Sequence, residues 1–480
     1  MDYDVYYDDV MGDSLLQDYY DEEELEELLR AYQDGYYGDD PEVTRMPLLE
    51  LVNNCLIPTL TQTLQMLGPL YAMCFIFRLI CLFLRSGSQL SSFPKVHITS
   101  AILGLFTLNY FFGATIIYLL ICCLTVYVIL VLTSQKCPRQ SGVCVAVFVV
   151  IYIVVCELFV VDAASWHSIR GAQIILSMKV IGLAFDISNG QVLLPDVPSY
   201  LGYCLCVGTV IFGPWISFQD YMNILFSGTS VLDVQWILKV VRSSVIGVLC
   251  MTYSTCFVNW IFMDDYHKWI LAYKDAQSFR FSHYFVCFIS EATATLAGIG
   301  YGDLQWNLSV SKPQHIEIPR SLVDVVTNWN LPMHRWLKNC YSGSFGSSQG
   351  DSTGLFSDRS NAVGLNFQLA AVLFSLGFYS YVEYVFREKL SRIYSACLLS
   401  KSCTEPCEHQ YKSTNPYVII TNLGFGLLSV FHLAYLGLMF DSSESAQEGY
   451  TMSHTLEKWS NLGYLSHFVL LGTFIFHLLI

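Results

Sequence analysis

The chain has 480 residues, is 54% hydrophobic, only 14% charged, and has a mean hydropathy of +0.45. This excludes an ordinary soluble domain and divides the length into roughly ten spans of about 20 residues each rather than two or three globular domains. The net charge of −15 is concentrated at the start, because residues 1–41 hold ten Asp and five Glu against one Arg. The remainder is nearly neutral and offers no basic surface or motif for nucleic acid.

Residues 1–45 form an acidic, Tyr-rich tail with a DEEELEELL core. It has too little apolar surface to fold alone and is expected to be disordered, with a short helix possible around Glu22–Arg30. The sharper alternative is a docking segment for a basic partner. No secretory signal is visible, so the first spans would direct insertion. The core follows over residues 46–480. Residues 46–67 look amphipathic and suited to the interface plane. Spans are predicted near 69–84, 99–113, 114–133, 143–161, 171–187, 200–218, 236–262, 283–299, 364–385, 415–438 and 458–480. Arg387, Lys389, Arg392, Lys401 and Lys412 concentrate in the connection 386–412, which places that loop in the cytosol and loop 441–457 in the lumen. No internal repeat supports a transporter.

Polar groups set among such spans are costly and point to function or to structural pairing. Trp166, His167 and Arg170 lie between two spans. They suit a membrane-edge anchor or a contact for a head group or a CoA phosphate. Gly213-Pro214 breaks an apolar segment, as a kink or as a re-entrant cavity wall. Glu291 places a carboxyl group in an apolar stretch. Gly298, Gly300 and Gly302 follow it without the strand–turn–helix setting of a dinucleotide loop.

The 17 cysteines show no paired CxxC spacing, so neither a zinc site nor a disulfide framework is predicted. Cys403-x3-Cys407-x-His409 lacks a fourth ligand at the usual spacing and reads as incidental cysteines or as reversible S-acylation sites, with no metal. No GxSxG, HExxH or P-loop occurs. The longest stretch without span character, 309–337, closes on Trp329-Asn330-Leu331-Pro332. An Asn in a polar pocket can hold a reacting carbonyl or orient an imidazole.

Six runs, in order, carry a resemblance: SWHSIRGAQ (165–173), GTVIFGPWISF (208–218), SHYFVCFISEATATLAG (282–298), SVSKPQHIEIPRSLVDVVTNWNLPM (309–333), NFQLAAVLFSLGFYSYVEYVFREKL (366–390) and FHLAYLGLMFD (431–441). Together the chain resembles the membrane-bound O-acyltransferase (MBOAT) family, in its branch that acylates a serine of Wnt proteins. The resemblance implies an all-α polytopic membrane protein with roughly ten to eleven transmembrane or re-entrant helices. It implies a multi-pass enzyme of the endoplasmic reticulum that moves palmitoleate from palmitoleoyl-CoA to a Wnt serine, with acyl-CoA as co-substrate and no cofactor. The family uses an Asn and a later His. Asn330 matches the Asn, while Trp329, Trp166, His167, Arg170, Glu291 and His432 fall where substrate or tunnel contacts are expected.

The His does not match. It precedes a Gly-x-x-Phe run that here reads Gly364-Leu365-Asn366-Phe367, and Val363 stands in its place. The family has an apolar helix leading up to that position. This chain has 341–362, with seven Ser, four Gly, two Asp and one Arg. Such a segment at membrane depth would leave polar groups unpaired. The departure reads as a frame or splice error in the gene model across roughly 340–363, with a truncated isoform or a catalytically inactive homologue that binds Wnt or acyl-CoA as alternatives.

Overall fold

The computed structural model describes residues 45–85, 89–226, 233–263, 266–302, 305–344, 367–403, 407–439 and 452–480. The acidic tail with its short helix, Val363, nearly all of 341–362 and most of 441–457 lie outside the described residues.

The regular structure among the described residues is helical apart from one minimal hairpin and an isolated bridge. Its main helices are α1 Ile57–Arg85, α2 Gln89–Phe112, α3 Ile116–Lys136, α4 Ser141–Val155, α5 Ala163–Ser188, α6 Val197–Cys204, α7 Phe218–Phe226, α8 Val234–Thr252 and α9 Lys268–Leu296. They are followed by α10 Leu322–Trp329, α11 Leu331–Ser344, α12 Phe367–Tyr394, α13 Pro416–Gly437, α14 Met452–Asn461 and α15 Leu465–Leu479. The hairpin pairs β1 Tyr301–Gly302 with β2 Gln305–Trp306 in antiparallel register. Gly298 and Gly300 enter it at φ +97° and +94°, a backbone region that favours glycine. The three glycines therefore make a turn.

Among the described residues, six helical segments are long and apolar enough to cross a membrane, and a seventh if α14 and α15, bent by 72°, form one broken span. The all-α polytopic character expected from sequence is thus present, but only six or seven segments among the described residues pass where eleven spans were expected. Ile117, Leu124 and Val128 on α3 and Val143, Val147 and Ile151 on α4 are exposed, as suits a face turned to lipid. Where elements meet, small residues let backbones approach. A Cβ on Gly104 of α2 would lie 1.6 Å from the Leu205 carbonyl oxygen, so this crossing tolerates only glycine.

Three expectations are corrected. The stretch 46–67 does not form a separate interfacial helix: after a π-turn at Val52–Leu56 it runs straight into the 29-residue α1. The segment 200–218 is not a span. Helix α6 stops at Cys204 and irregular chain follows to α7. The side chain of Lys179 on α5, fully buried, donates to the carbonyls of Tyr203 (3.1 Å) and Cys204 (3.2 Å) and to Thr209 Oγ1 (2.8 Å). Tyr203 in turn donates to the Ile216 carbonyl at 2.8 Å. Irregular backbone is tolerated at such depth because protein groups satisfy it. Finally, Cys55 and Cys256 form a disulfide with a Cα–Cα distance of 5.8 Å. The two are 201 residues apart, so no local spacing could have revealed the pair.

Candidate active site

The region around Asn330 is assembled from five helices, α8 to α12, and one extended strip. Helix α10 begins where Ser321 Oγ accepts the Asp324 amide at 3.1 Å, and Glu383 Oε2 of α12 accepts the Leu322 amide at 2.8 Å. Two otherwise orphaned amides at the helix start are thereby satisfied. The helix ends at Trp329, and Asn330 turns to an extended conformation (φ −147°, ψ 93°). Its side chain then starts the next helix, because Asn330 Oδ1 accepts the Met333 amide at 3.0 Å. Pro332 sits within the first turn of α11, where a missing N–H costs nothing. The WNLP sequence is therefore a helix–helix junction capped by the amide oxygen. Among the described residues no hydrogen bond is made to Asn330 Nδ2, and its two N–H groups remain as donors.

The strip 310–312 runs beside the junction and fixes it. The Leu331 amide donates to the Val310 carbonyl at 2.8 Å, and the Lys312 amide to the Asn328 carbonyl at 3.1 Å. Glu291 of α9 anchors the strip from beneath. Its Oε1 accepts the Val310 amide at 2.9 Å, while Oε2 accepts from Lys239 Nζ (2.9 Å) and Ser243 Oγ (3.0 Å) of α8. Glu291 is almost fully buried and fully paired, so its place is to position the Asn330 junction through one strand of backbone. Glu291→Gln should lower detergent-solubilised stability by about 1–3 kcal/mol, since the amide keeps the shape but cannot accept from all three donors. A thermal shift assay reads this, and an unchanged melting temperature would mean that the carboxylate does not hold the strip.

A second, half-buried acid acts nearby. Glu317 takes a bidentate contact from Arg280 of α9, with Nε–Oε1 at 2.8 Å and Nη2–Oε2 at 3.0 Å, plus the Tyr284 hydroxyl at 2.7 Å. One helix, α9, thus pins both ends of the segment that leads into α10.

Trp329 presents a surface that the sequence did not disclose. Its ring stacks on His283 of α9 (centroids 4.4 Å, 10° between planes) and on Phe279 (6.3 Å, 22°). His283 Nε2 donates to the Trp329 carbonyl at 3.3 Å and also lies 3.3 Å from Cys287 Sγ, so in the neutral ring the lone pair is on Nδ1. His283 lies inside one of the six resembling runs, but no spacing rule connects it with a residue 46 positions later.

The other expected site residues fall elsewhere. Trp166 is buried on α5 and His167 is exposed beside it. Arg170 lies 4.0 Å from Glu157, an ion pair at the edge of the helix bundle. Gly182, farther along α5 by about 24 Å, is where Trp336 of α11 packs. The Trp166 group and Asn330 are therefore not brought together. His432 is buried on α13, with Nδ1 at 2.7 Å from Ser466 Oγ and its ring edge-on to Tyr379 at 4.8 Å. It belongs to a network among α12, α13 and α15. Arg387, counted from sequence as a loop cation, is fully buried on α12. It donates to Glu383 Oε1 (3.3 Å), to Asn422 Oδ1 (2.6 Å) and to the carbonyls of Arg320, Leu398 and Leu399.

No family model matches the chain. Among curated proteins, it is 40% identical over 460 residues to the protein-serine O-palmitoleoyltransferase porcupine of Homo sapiens, covering 90% of this chain and 97% of that protein. It is 31% identical over 467 residues to the protein of the same name from Drosophila melanogaster, covering 90% and 87%. More distantly, it is 26% identical over 309 residues to membrane-bound glycerophospholipid O-acyltransferase 1 of Mus musculus, covering 52% and 61%.

Proposed function

The chain belongs to the porcupine family of protein-serine O-palmitoleoyltransferases, and from that membership we propose that it transfers palmitoleate from palmitoleoyl-CoA to a serine hydroxyl of a Wnt protein at the endoplasmic-reticulum membrane. It is an O-acyltransferase with several membrane-spanning helices. The relatives named above are transferases, which favours an enzyme over a homologue that only binds Wnt or acyl-CoA. The observation that carries the site assignment is the Asn330 junction, a capped turn whose amide N–H pair has no partner among the described residues.

In the reaction a base removes the serine proton and the oxygen attacks the thioester carbonyl. A C–O bond forms, the C–S bond breaks, and the proton ends on the CoA sulfur. Negative charge grows on the carbonyl oxygen before the thiolate leaves. Donors already fixed in place stabilise that charge without reorganisation. Asn330 Nδ2 is such a donor, held by the cap at its own Oδ1 and by the strip anchored on Glu291. The resemblance places the base at position 363, which is Val in this chain.

Orientation follows from two features at opposite ends of α13. Its Pro416 end leads out of the basic connection that the positive-inside rule puts in the cytosol. At its far end, Gly437 packs on Ala276 of α9, and Ser254 Oγ donates to the nearby Ser278 carbonyl at 2.8 Å. The disulfide Cys55–Cys256 therefore lies at the Gly437 end, about 33 Å along the 22-residue helix from the free thiols that precede Pro416. A disulfide suits the oxidising lumen and free thiols suit the reducing cytosol. This arrangement supports acyl-CoA arriving from the cytosol and the protein serine from the lumen.

The test is transfer of an alkynyl palmitoleoyl group from its CoA thioester to a Wnt-derived serine peptide in membranes containing the full chain. Label on the serine, lost in a Ser→Ala peptide, is the expected result. A frame-corrected chain carrying Val363→His that labels no Wnt peptide would reject the assignment.

A further inference from the structure

The connection between α12 and α13 is not an open loop. Its neck is closed where Ala396 bridges Tyr411, with the Cys397 amide donating to the Tyr411 carbonyl at 3.0 Å and the Tyr411 amide to the Ser395 carbonyl at 2.9 Å. Inside this neck, Cys397, Cys403, Cys407 and His409 point one donor atom each to a common centre, all within 4.8 Å of one another. Cys397 Sγ and Cys407 Sγ are 3.3 Å apart. His409 Nδ1 is 3.0 Å from Cys407 Sγ, 3.7 Å from Cys403 Sγ and 3.8 Å from Cys397 Sγ. A tetrahedral ion with Zn–S bonds of about 2.3 Å places its ligand atoms about 3.8 Å apart. Four of the six edges, at 3.0–3.8 Å, are at or below that length, and no edge exceeds 4.8 Å.

The imidazole is also oriented for metal. Ser391 Oγ donates to the Ala396 carbonyl at 2.6 Å. Its one proton is therefore used, and its contact with His409 Nε2 at 3.0 Å must be one that it accepts. His409 then carries its proton on Nε2 and turns the Nδ1 lone pair toward the three sulfurs. A hydrogen bond that fixes the tautomer of a ligating histidine is the usual outer-shell device of zinc sites.

We propose that Cys397, Cys403, Cys407 and His409 bind one structural zinc ion. The sequence motif holds only three of these ligands. The fourth, Cys397, lies ten residues before Cys407, just past the end of α12, and only the fold brings it in. Four protein ligands close the coordination sphere, which marks a structural rather than a catalytic site. Thiolate-rich tetrahedral sets select zinc over magnesium or calcium.

The loop needs such a centre, because the apolar cluster beneath it is only Ala396, Cys397, Leu398 and Val418 with a few partly buried neighbours. The ordered loop is then read by the rest of the protein. Arg320 donates to the Cys397 carbonyl (2.8 Å) and the Leu399 carbonyl (3.1 Å), and Ser321 Oγ to the Ser400 carbonyl at 3.0 Å. Those two residues begin α10, the helix that ends at Asn330. The metal thereby supports the start of the site helix, at the end away from Asn330.

The experiment is elemental analysis of the full chain purified in detergent without chelators, with thiol footprinting of the same preparation in intact membranes. One zinc per chain is expected, with Cys403 and Cys407 blocked to maleimide until a strong chelator is added. Ser391→Ala, which leaves all four ligands in place, should weaken zinc retention about 10- to 100-fold against a competing chelator. Cys407→Ser should lose the ion. Freely labelled thiols with no zinc in protein that still migrates as a folded monodisperse species would overturn the proposal. So would hydroxylamine-sensitive acyl groups on Cys403 or Cys407, which would make the loop an S-acylation site instead.

Discussion

In a transfer-competent chain, Asn330→Asp should lower the rate of acyl transfer by about 10²- to 10³-fold while leaving the fold unchanged. The two ends of the Asn330 amide have separate roles. Oδ1 caps α11 by accepting the Met333 amide at 3.0 Å. Asp caps helices as well as Asn does, and its charge is favoured at a helix start. The substitution therefore keeps the structural half. It replaces the Nδ2 donor with an oxygen that only accepts and is negative, opposite a carbonyl oxygen that itself becomes negative. Asn330→Ala differs in a measurable way, losing the donor and also about 1 kcal/mol of capping stability. Thermal stability in detergent and transfer to a serine peptide, measured on both variants, resolve the two functions. Wild-type transfer by the Asp variant would reduce Asn330 to a cap.

The place of the Asn330 junction was legible in the sequence, though its cap was not. Trp-Asn-Leu-Pro sets a polar residue beside a proline in the longest stretch without span character, and such a local pattern survives folding. Glu291 was legible as an intramembrane carboxyl that demanded partners. Its actual partner, the Val310 amide, follows from backbone routing that no side-chain pattern encodes. His283 and Cys397 escaped because they act across tertiary contacts, one by stacking on Trp329 and the other by closing a ligand set.

The errors had the same origin. The segment 200–218 is apolar enough to be a span, yet the buried Lys179 and Tyr203 give its carbonyls protein donors and so allow irregular backbone. Arg387 looked like a cation in solvent because the helix was expected to end before it. Helix α12 continues to Tyr394 and buries the guanidinium against Glu383 and Asn422. Hydropathy measures transfer of isolated residues, and these are the places where pairing reverses it.

Val363→His should raise transfer about 10²- to 10⁴-fold over the chain as it stands, which is the usual contribution of a positioned general base. The gain should appear in the turnover rate and carry a pH dependence, rising as the imidazole loses its proton. Val has no lone pair, so the unsubstituted chain relies on water or on a distant group to take the serine proton. His283 sits elsewhere, stacked on the Trp329 indole with Nε2 donating to the Trp329 carbonyl, and only its Nδ1 keeps a lone pair. His432 is engaged with Ser466 on another network. The decisive measurement is a cycle combining Val363→His with Asn330→Asp. Groups that act as a unit in one transition state are strongly non-additive. Asn330→Asp should therefore cost much less with Val363 present than with His present. Equal losses in both backgrounds would show that position 363 and Asn330 do not share a transition state. No gain from Val363→His alone would place the departure from the family in the whole preceding segment 341–362 rather than in the one side chain.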